Sequence, residues 1–309
     1  MSTTDDEFAI IRRYFQQSWA ASSEVVVGNG DDAALVAPPA GHHLVICSDM
    51  LVSGRHFDGT AAPADVGWKS LAVNVSDLLA MAAQPMGFTL ALSLPELDHD
   101  WLHGFSTGLQ ACADHYGMTL VGGDTTRGPL TISITALGWA AANRHPPCRS
   151  QARAGDAIWI SGALGRAAAA LELGDRAPLG WQQALHRPQP DLDAVAAMRD
   201  TAHAMIDVSD GLSADLGHIC TASGLGARLD ARVLETMEPL EHPQLSPQRR
   251  WHCRLHGGDD YVLVATAPRD CSFAGWTRIG DMHAQPGVHL RWPDGRTDSL
   301  SPLGWNHFS

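Results

Sequence analysis

The 309 residues are 45% hydrophobic with 30 glycines and 18 prolines, a globular composition long enough for two domains with a sizeable buried core. The net charge is −13, and the 21 basic residues are twenty arginines and a single lysine, Lys69; no basic stripe is visible, so a nucleic-acid binder is not expected. No run of about 18 uncharged apolar residues occurs, and the start Met1–Glu7 is acidic where a secretory or mitochondrial leader is basic, so the expectation is a cytoplasmic protein with no membrane contact.

Taken in chain order, Asp5–Trp19 carries Phe8, Ile11, Tyr14 and Phe15 on one side and Arg12 with Arg13 on another, the period of an amphipathic helix. Glu24–Val27, Ala33–Val36 and His43–Ile46 read as strands separated by Gly, Asp and Pro turns. A long helix begins near Pro63, buries Val66, Leu71, Val75, Leu78 and Leu79, and ends near Gln84-Pro85. Phe88–Leu94 reads as a strand, Trp101–Tyr116 as a helix stopped by Gly117, and Met118–Val121 and Leu130–Trp139 as strands. The Pro-rich, polar stretch Ala142–Pro147 is the expected boundary between domains 1–141 and 142–309. Beyond it come a strand at Ala157–Ser161, helices at Gly165–Leu173, Asp191–Ala204 and Ser213–Ala222, strands at Ala227–Leu229 and Tyr261–Thr266, and a short tail from Ser301. The pattern predicts an α/β (α+β) fold in two domains.

Six scattered cysteines form no CxxC pair and no zinc-finger spacing with the sixteen histidines, so reduced, buried thiols are expected. The acidic residues are better organised. Gly30-Asp31-Asp32-Ala33, Ser48-Asp49, Ser76-Asp77, Gly122-Gly123-Asp124-Thr125-Thr126, Asp207-Val208-Ser209-Asp210 and Gly257-Gly258-Asp259-Asp260-Tyr261 each set carboxylates beside Gly, Ser or Thr. Any one of them alone caps a helix or closes a turn. Six such segments suggest a shared cleft at strand ends, turns and helix starts. Carboxylates converging there without cations would repel by roughly 1–4 kcal/mol per pair at effective dielectrics of 80 to 20. All-oxygen ligands point to Mg²⁺, Mn²⁺ or Ca²⁺, and magnesium characteristically takes one or two carboxylates plus phosphate oxygens. Several Mg²⁺ ions on a polyphosphate such as ATP are the expected cofactors. No GxxxxGK[ST] and no HRD or DFG set is present, which excludes the P-loop and protein-kinase routes. Gly162-Ala163-Leu164-Gly165 reads equally as a phosphate-cradling turn or a plain strand-to-helix turn.

The segments GDDAALV (Gly30–Val36), SDMLVSGRHF (Ser48–Phe57), WKSLAVNVSDLLAMAAQP (Trp68–Pro85), LVGGDTTRGPL (Leu120–Leu130), IDVSDGLSADLGHI (Ile206–Ile219), GGDDYVL (Gly257–Leu263) and GWNHF (Gly304–Phe308) resemble, in this order and nearly end to end, the thiamine-monophosphate kinase family of the aminoimidazole ribonucleotide synthetase-like superfamily. The resemblance implies a homodimer whose N-terminal domain dimerises, with ATP and thiamine monophosphate as substrates. It further implies Asp32, Cys47, Ser48, Asp49, Asp77, Asp124, Asp207 and Asp210 as magnesium ligands. Gly123, Asp124, Arg149 and Ser209 would contact the nucleotide, and His56, Asp259 and Trp305 thiamine monophosphate. The sequence departs from the family pattern at Asp259 and Val262, where Glu is more frequent, and at Cys47, where Ser or Thr is. The implied reaction is direct in-line phosphoryl transfer, with positioning and metal ions in place of a catalytic base. Competing readings are another ATP-using enzyme of the superfamily and a non-catalytic ATP- or thiamine-binding module.

Overall fold

The structure, a computed structural model, describes residues 7–16, 19, 22–301, 303 and 304. The chain divides into two compact units, one of Met1–Leu78 with Ala83–Asn143, the other of Leu79–Ala82 with Arg144–Ser309.

The first unit opens with α1 (Glu7–Ile10), which runs into a π-helical turn at Ile11–Phe15. Tyr14 and Phe15 are buried there and Arg12 with Arg13 is exposed, so the amphipathic period expected of a longer helix is met by a wider turn. A two-stranded ribbon, β1 (Val25–Val27) and β2 (Leu35–Val36), follows. The main sheet has the order β3-β6-β4-β5, built from β3 (His42–Val52), β4 (Gln84–Leu94), β5 (Thr119–Arg127) and β6 (Thr131–Ala141). Its β4–β5 pair is parallel, and such a pair needs a crossover, supplied by the helix α3 (His99–Tyr116). Asp98 caps α3 by accepting from the Asp100 and Trp101 amides, and Gly117 ends it at φ 64°, a left-handed conformation that suits glycine.

Between β3 and β4 lies α2 (Pro63–Ala80), opened by a proline and burying Val66, Leu71, Val75 and Leu78. The two long helices approach at glycines. A Cβ on Gly67 would sit 2.1 Å from the Phe105 carbonyl oxygen, and one on Gly108 only 1.8 Å from that of Ala64. No side chain fits at either position.

Strand β3 is far longer than the expected His43–Ile46. Its apolar signal breaks at Ser48-Asp49, but the antiparallel ladder to β6 continues from His42↔Ala141 to Val52↔Thr131. β5 likewise runs through Gly122-Gly123-Asp124-Thr125-Thr126 instead of stopping at Val121. One side of the sheet buries Phe88, Leu90, Leu92, Ile132, Ile134 and Ala136; on the other, Leu44, Ile46 and Met50 of the edge strand are exposed at 47, 58 and 54%. That alternation is the period-two signature of a sheet with one covered face.

The second unit holds a seven-stranded sheet of order β13-β12-β9-β11-β7-β10-β8. Its strands are β7 (Ala157–Ile160), β8 (Ala204–Asp207), β9 (Gly226–Asp230), β10 (Leu263–Ala267), β11 (Thr277–His283), β12 (Gly287–Arg291) and β13 (Thr297–Leu300). Only the β9–β12 pairing is parallel. The helices are α4 (Arg166–Leu173), α5 (Leu179–His186), α6 (Leu192–Met198), α7 (Leu212–Ser223), α8 (Ala231–Met237) and α9 (Pro247–His256). Leu212, Leu216 and Ile219 of α7 join Ile158, Ile206, Val264 and Leu229 of the sheet in one core; Ala169, Leu173, Trp181, Leu245 and Cys253 form a second. The helix expected over Asp191–Ala204 ends at Met198, and Ala204–Asp207 becomes the fully buried strand β8. A continuous apolar run does not separate a buried strand from a buried helix by period.

Candidate functional site

In the first unit, Asn74 organises the acidic strand. It is fully buried on α2, its Nδ2 donates to the Ser70 carbonyl at 3.0 Å, and its Oδ1 accepts from the Asp49 amide at 3.1 Å. The Asn74 main-chain carbonyl accepts from the Cys47 thiol at 3.3 Å. Burial alone pushes the Asp49 carboxyl above its ordinary range, the electrostatic condition that a nearby cation relieves. Asp77 lies one turn beyond Asn74 on α2 and is half-buried. Ser48 and Asp49 are neighbours on a strand and point to opposite faces. The Ser48 hydroxyl meets the Ile134 carbonyl at 3.0 Å and Thr135 Oγ1 at 3.1 Å.

Register separates two further candidates. Asp49 shares a row with Ile134, Leu90 and Gly123, whereas Asp124 shares one with Ala91, Ser133 and Met50 on the open face. Asp124 is exposed. Gly123 is irreplaceable sterically: at φ 154° its Cβ would lie 1.9 Å from the Leu90 carbonyl oxygen. Asp32 is exposed, with its amide donating to Asp31 Oδ1 at 2.9 Å. His56 Nδ1 accepts from the Val52 amide at 3.0 Å, so the neutral ring carries its proton on Nε2, as a donor.

In the second unit, Asp207 closes β8 and is 5% exposed, and Val208–Gly211 forms the turn into α7. Asp215, 3% exposed in the first turn of α7, gathers that turn: its Oδ2 accepts from the amides of Ser209, Asp210 and Gly211 at 3.1, 3.1 and 3.0 Å. Burial, then the charges of Asp207 and Asp210, raise the Asp215 carboxyl to about 8 against the opposing amide bonds. The Asp259 amide donates to the Ser209 carbonyl at 2.8 Å. Asp259 and Tyr261 both have left-handed backbones, φ 59° and 49°, and the Tyr261 hydroxyl donates to Asp259 Oδ1 at 2.9 Å. Two non-glycine residues held there mark a strained segment of the kind that positions ligands. Arg149 is exposed on a 3₁₀ turn at Arg149–Gln151. Gly162-Ala163-Leu164-Gly165 resolves as the turn before α4, with the Gly165 amide donating to both Asp260 oxygens at 2.9 and 3.0 Å. Trp305 lies outside the described residues.

Among the described residues, no three His, Cys, Asp or Glu side chains are gathered closely enough to hold a metal ion. The carboxylate and hydroxyl oxygens of the candidate residues are hard donors of the kind magnesium takes, and Asp49 carries a burial cost that a cation would offset. Asn74 and Asp215 went unnoticed as functional in the sequence. The legible signal was polarity out of place: Asn74 interrupts an apolar helix face, and Asp215 follows a turn whose amides need an acceptor. None of the six cysteines is in a disulfide, three being buried and three half-buried, and no helix among the described residues is long and apolar enough to cross a membrane.

Residues 30–140 match the AIR synthase related protein N-terminal domain and residues 153–270 its C-terminal domain. Thiamine-monophosphate kinase of Escherichia coli (strain K12) is 38% identical over 98% of both chains. The crystal structure of thiamine-monophosphate kinase from Stenotrophomonas maltophilia K279a superposes with a TM-score of 0.81 at 42% identity, covering 89% of this chain and 92% of that one. The structure of AaThiL complexed with AMPPCP and TMP gives a TM-score of 0.76 at 31% identity over 93% of each chain. The two-domain α/β architecture and the sequence kinship agree from end to end, and the chain belongs to the thiamine-monophosphate kinase family.

Proposed function

We propose that this chain transfers the γ-phosphoryl group of ATP directly to thiamine monophosphate, giving ADP and thiamine diphosphate. The observation that carries the reading is the near-complete coverage of thiamine-monophosphate kinases, one of which is solved with AMPPCP and TMP. In this reading residues 1–141 bind ATP and metal and dimerise, and 142–309 form the second α/β domain. Asp32, Asp49, Asp77, Asp124, Asp207 and Asp210 hold magnesium, with Ser48 and with Cys47 through its backbone oxygen, since a thiol suits softer metals. Asp49 and Asp124, on opposite faces of the sheet, would each offer a carboxylate to magnesium. Magnesium, when bound, neutralises charge on the phosphate oxygens.

The chain's own groups position the reactants. Gly123 lets a phosphate approach the backbone, Arg149 offers a guanidinium to phosphate, and Ser209 presents a hydroxyl on the turn held by Asp215. His56 Nε2–H is a donor for the acceptor. Asp259 and Trp305 suit a thiazolium cation, the first by charge and the second by its aromatic face. The attacking phosphate oxygen is already anionic, so no side chain need remove a proton and the gain comes from alignment. Purified protein with ATP, Mg²⁺ and thiamine monophosphate should form ADP and thiamine diphosphate in equal amounts, abolished by EDTA and by substituting free thiamine. ATP binding without either product would displace the kinase reading in favour of a binding module. Cysteines outside any disulfide accord with a reducing cytoplasm.

The homodimer is proposed to form on the open sheet face, where Leu44, Ile46 and Met50 make an exposed apolar stripe. Ile46→Lys is expected to give a folded monomer by sedimentation velocity. A variant that sediments as the wild-type dimer would rule out this face.

A further inference from the structure

A cavity of about 360 Å³ in the second unit is lined by His252, His256, Leu171 and Glu172 among others, and neither imidazole has a part in the proposed reaction. Both histidines belong to α9 and stand four residues apart, a spacing that puts their side chains on one face of the helix. Their ring centroids are 5.5 Å apart. Two imidazoles that share one tetrahedral ion, at about 2.0–2.1 Å per nitrogen, bring their centroids to about 5–6 Å.

His256 is already held in the form that a metal takes. Ser213, fully buried in the first turn of α7, donates its hydroxyl proton to the Leu303 carbonyl at 3.0 Å. Its Oγ lies 2.6 Å from His256 Nδ1, and the same nitrogen is 3.1 Å from the Leu303 carbonyl. With the hydroxyl proton committed to Leu303, both oxygens facing Nδ1 require a donor, so Nδ1 carries the ring proton and Nε2 the lone pair. A ligating histidine characteristically donates its other N–H to an acceptor of this kind, which fixes tautomer and ring orientation together. Burial, against the opposing Leu303 bond, holds the imidazole below its ordinary range, and His252 adds to that; the ring is neutral and able to coordinate. The backbone is equally fixed, since a Cβ on Gly211 would stand 2.8 Å from the His256 carbonyl carbon. Among the described residues, Nε2 of His256 and both nitrogens of His252 make no hydrogen bond.

We infer that His252 and His256 form a binding site for one divalent transition-metal ion of the zinc class, with His256 ligating through Nε2 and water completing the shell. Imidazole suits zinc, copper and nickel, whereas magnesium takes oxygen donors; the site is chemically separate from the carboxylates proposed for magnesium. Its place at the end of α9 favours a cation, because the C-terminus of a helix is its negative pole. Glu172 in the same cavity is paired with Arg249 at 2.7 Å and is not counted as a ligand. Neither is Cys253, which is buried with its thiol pushed up to about 11, chiefly by that burial. Two imidazoles grip an ion less firmly than a closed four-ligand site, so occupancy follows the supply of free metal.

The test is a calorimetric titration of the untagged protein with Zn²⁺, in the absence of nucleotide, beside His252→Ala and His283→Ala. His252 is exposed, so its replacement should leave the metal-free melting temperature close to that of the wild type. His283 stacks on His289 at 5.7 Å elsewhere in the unit, and its variant controls for histidine pairs in general. Wild type and His283→Ala should share a tight binding step that millimolar Mg²⁺ does not displace, and Zn²⁺ should raise the melting temperature of both. His252→Ala should lose at least about tenfold in affinity at that step, the loss that even an outer-shell change brings, together with most of the thermal shift. Unchanged zinc affinity in His252→Ala, an equal loss in His283→Ala, or no zinc binding by the wild type would overturn the site.

Discussion

Asp124→Ala is expected to lower kcat/KM by about 100- to 1,000-fold while the protein keeps its fold and oligomeric state. The side chain is exposed on β5 opposite Ala91, so its removal opens no cavity, and surface substitutions away from packing ordinarily stay within about 0.5 kcal/mol of stability. What is lost is a charged oxygen proposed to face metal and nucleotide at once. The variant should therefore require more Mg²⁺ for half-maximal rate, and its melting temperature should match the wild type. A rate near normal at low Mg²⁺ would remove Asp124 from the proposed site. A protein that no longer folds would show the residue to be structural.

Asp215→Ala is expected to cost at least about 100-fold in activity through misplacement of the turn alone, since small displacements of positioning groups are this expensive. Three amides share one Asp215 oxygen, and each donor left without an acceptor costs about 1–3 kcal/mol where water cannot replace it. Asp215→Asn retains an oxygen in the same place and should keep activity within about tenfold of wild type. The pair also gives a pH test. With its folded value raised to about 8 and an unfolded carboxyl near about 4, Asp215 binds a proton on folding across that interval. Its contribution to stability is present in full below the unfolded value and is lost as pH rises through the folded one. Without added Mg²⁺, wild-type stability should fall from pH 4 toward 8 more steeply than that of Asp215→Asn. Equal slopes would show that Asp215 is ionised throughout that range, held so by its three amides.

Much of the fold was legible because local signals agree with burial. Pro63 and Gly117 mark the start of one helix and the end of the other, their apolar residues fall on one side, and the boundaries found differ by few residues. Strands carrying candidate ligands were harder to read. In β3 and β5 polar residues continue a ladder that the apolar pattern had left, because backbone pairing to β6 and β4, not side-chain burial, defines the strand there. Helices α5, α8 and α9 were unread, and α9 shows why: Pro247–His256 is dominated by Arg, His and Gln, with Cys253 and Leu255 as its buried apolar contacts. For the site, motif order pointed to the acidic segments, but no sequence signal distinguished Asp49 from Asp124 by sheet face. That distinction is set by register, which depends on long-range pairing.

The glycine contact between α2 and α3 ties catalytic competence to residues remote from any ligand. Gly67 and Gly108 let the helices meet backbone to backbone, and two turns along α2 Asn74 holds the Asp49 amide and the Cys47 thiol. A methyl group at either glycine would have to wedge the helices apart, and a helix is stiff enough to transmit that displacement along its axis. The first casualty would be the seating of Asn74 on β3. Variation at either glycine is expected to show first as lost thermal stability, a phenotype easily mistaken for damage at the proposed binding site itself.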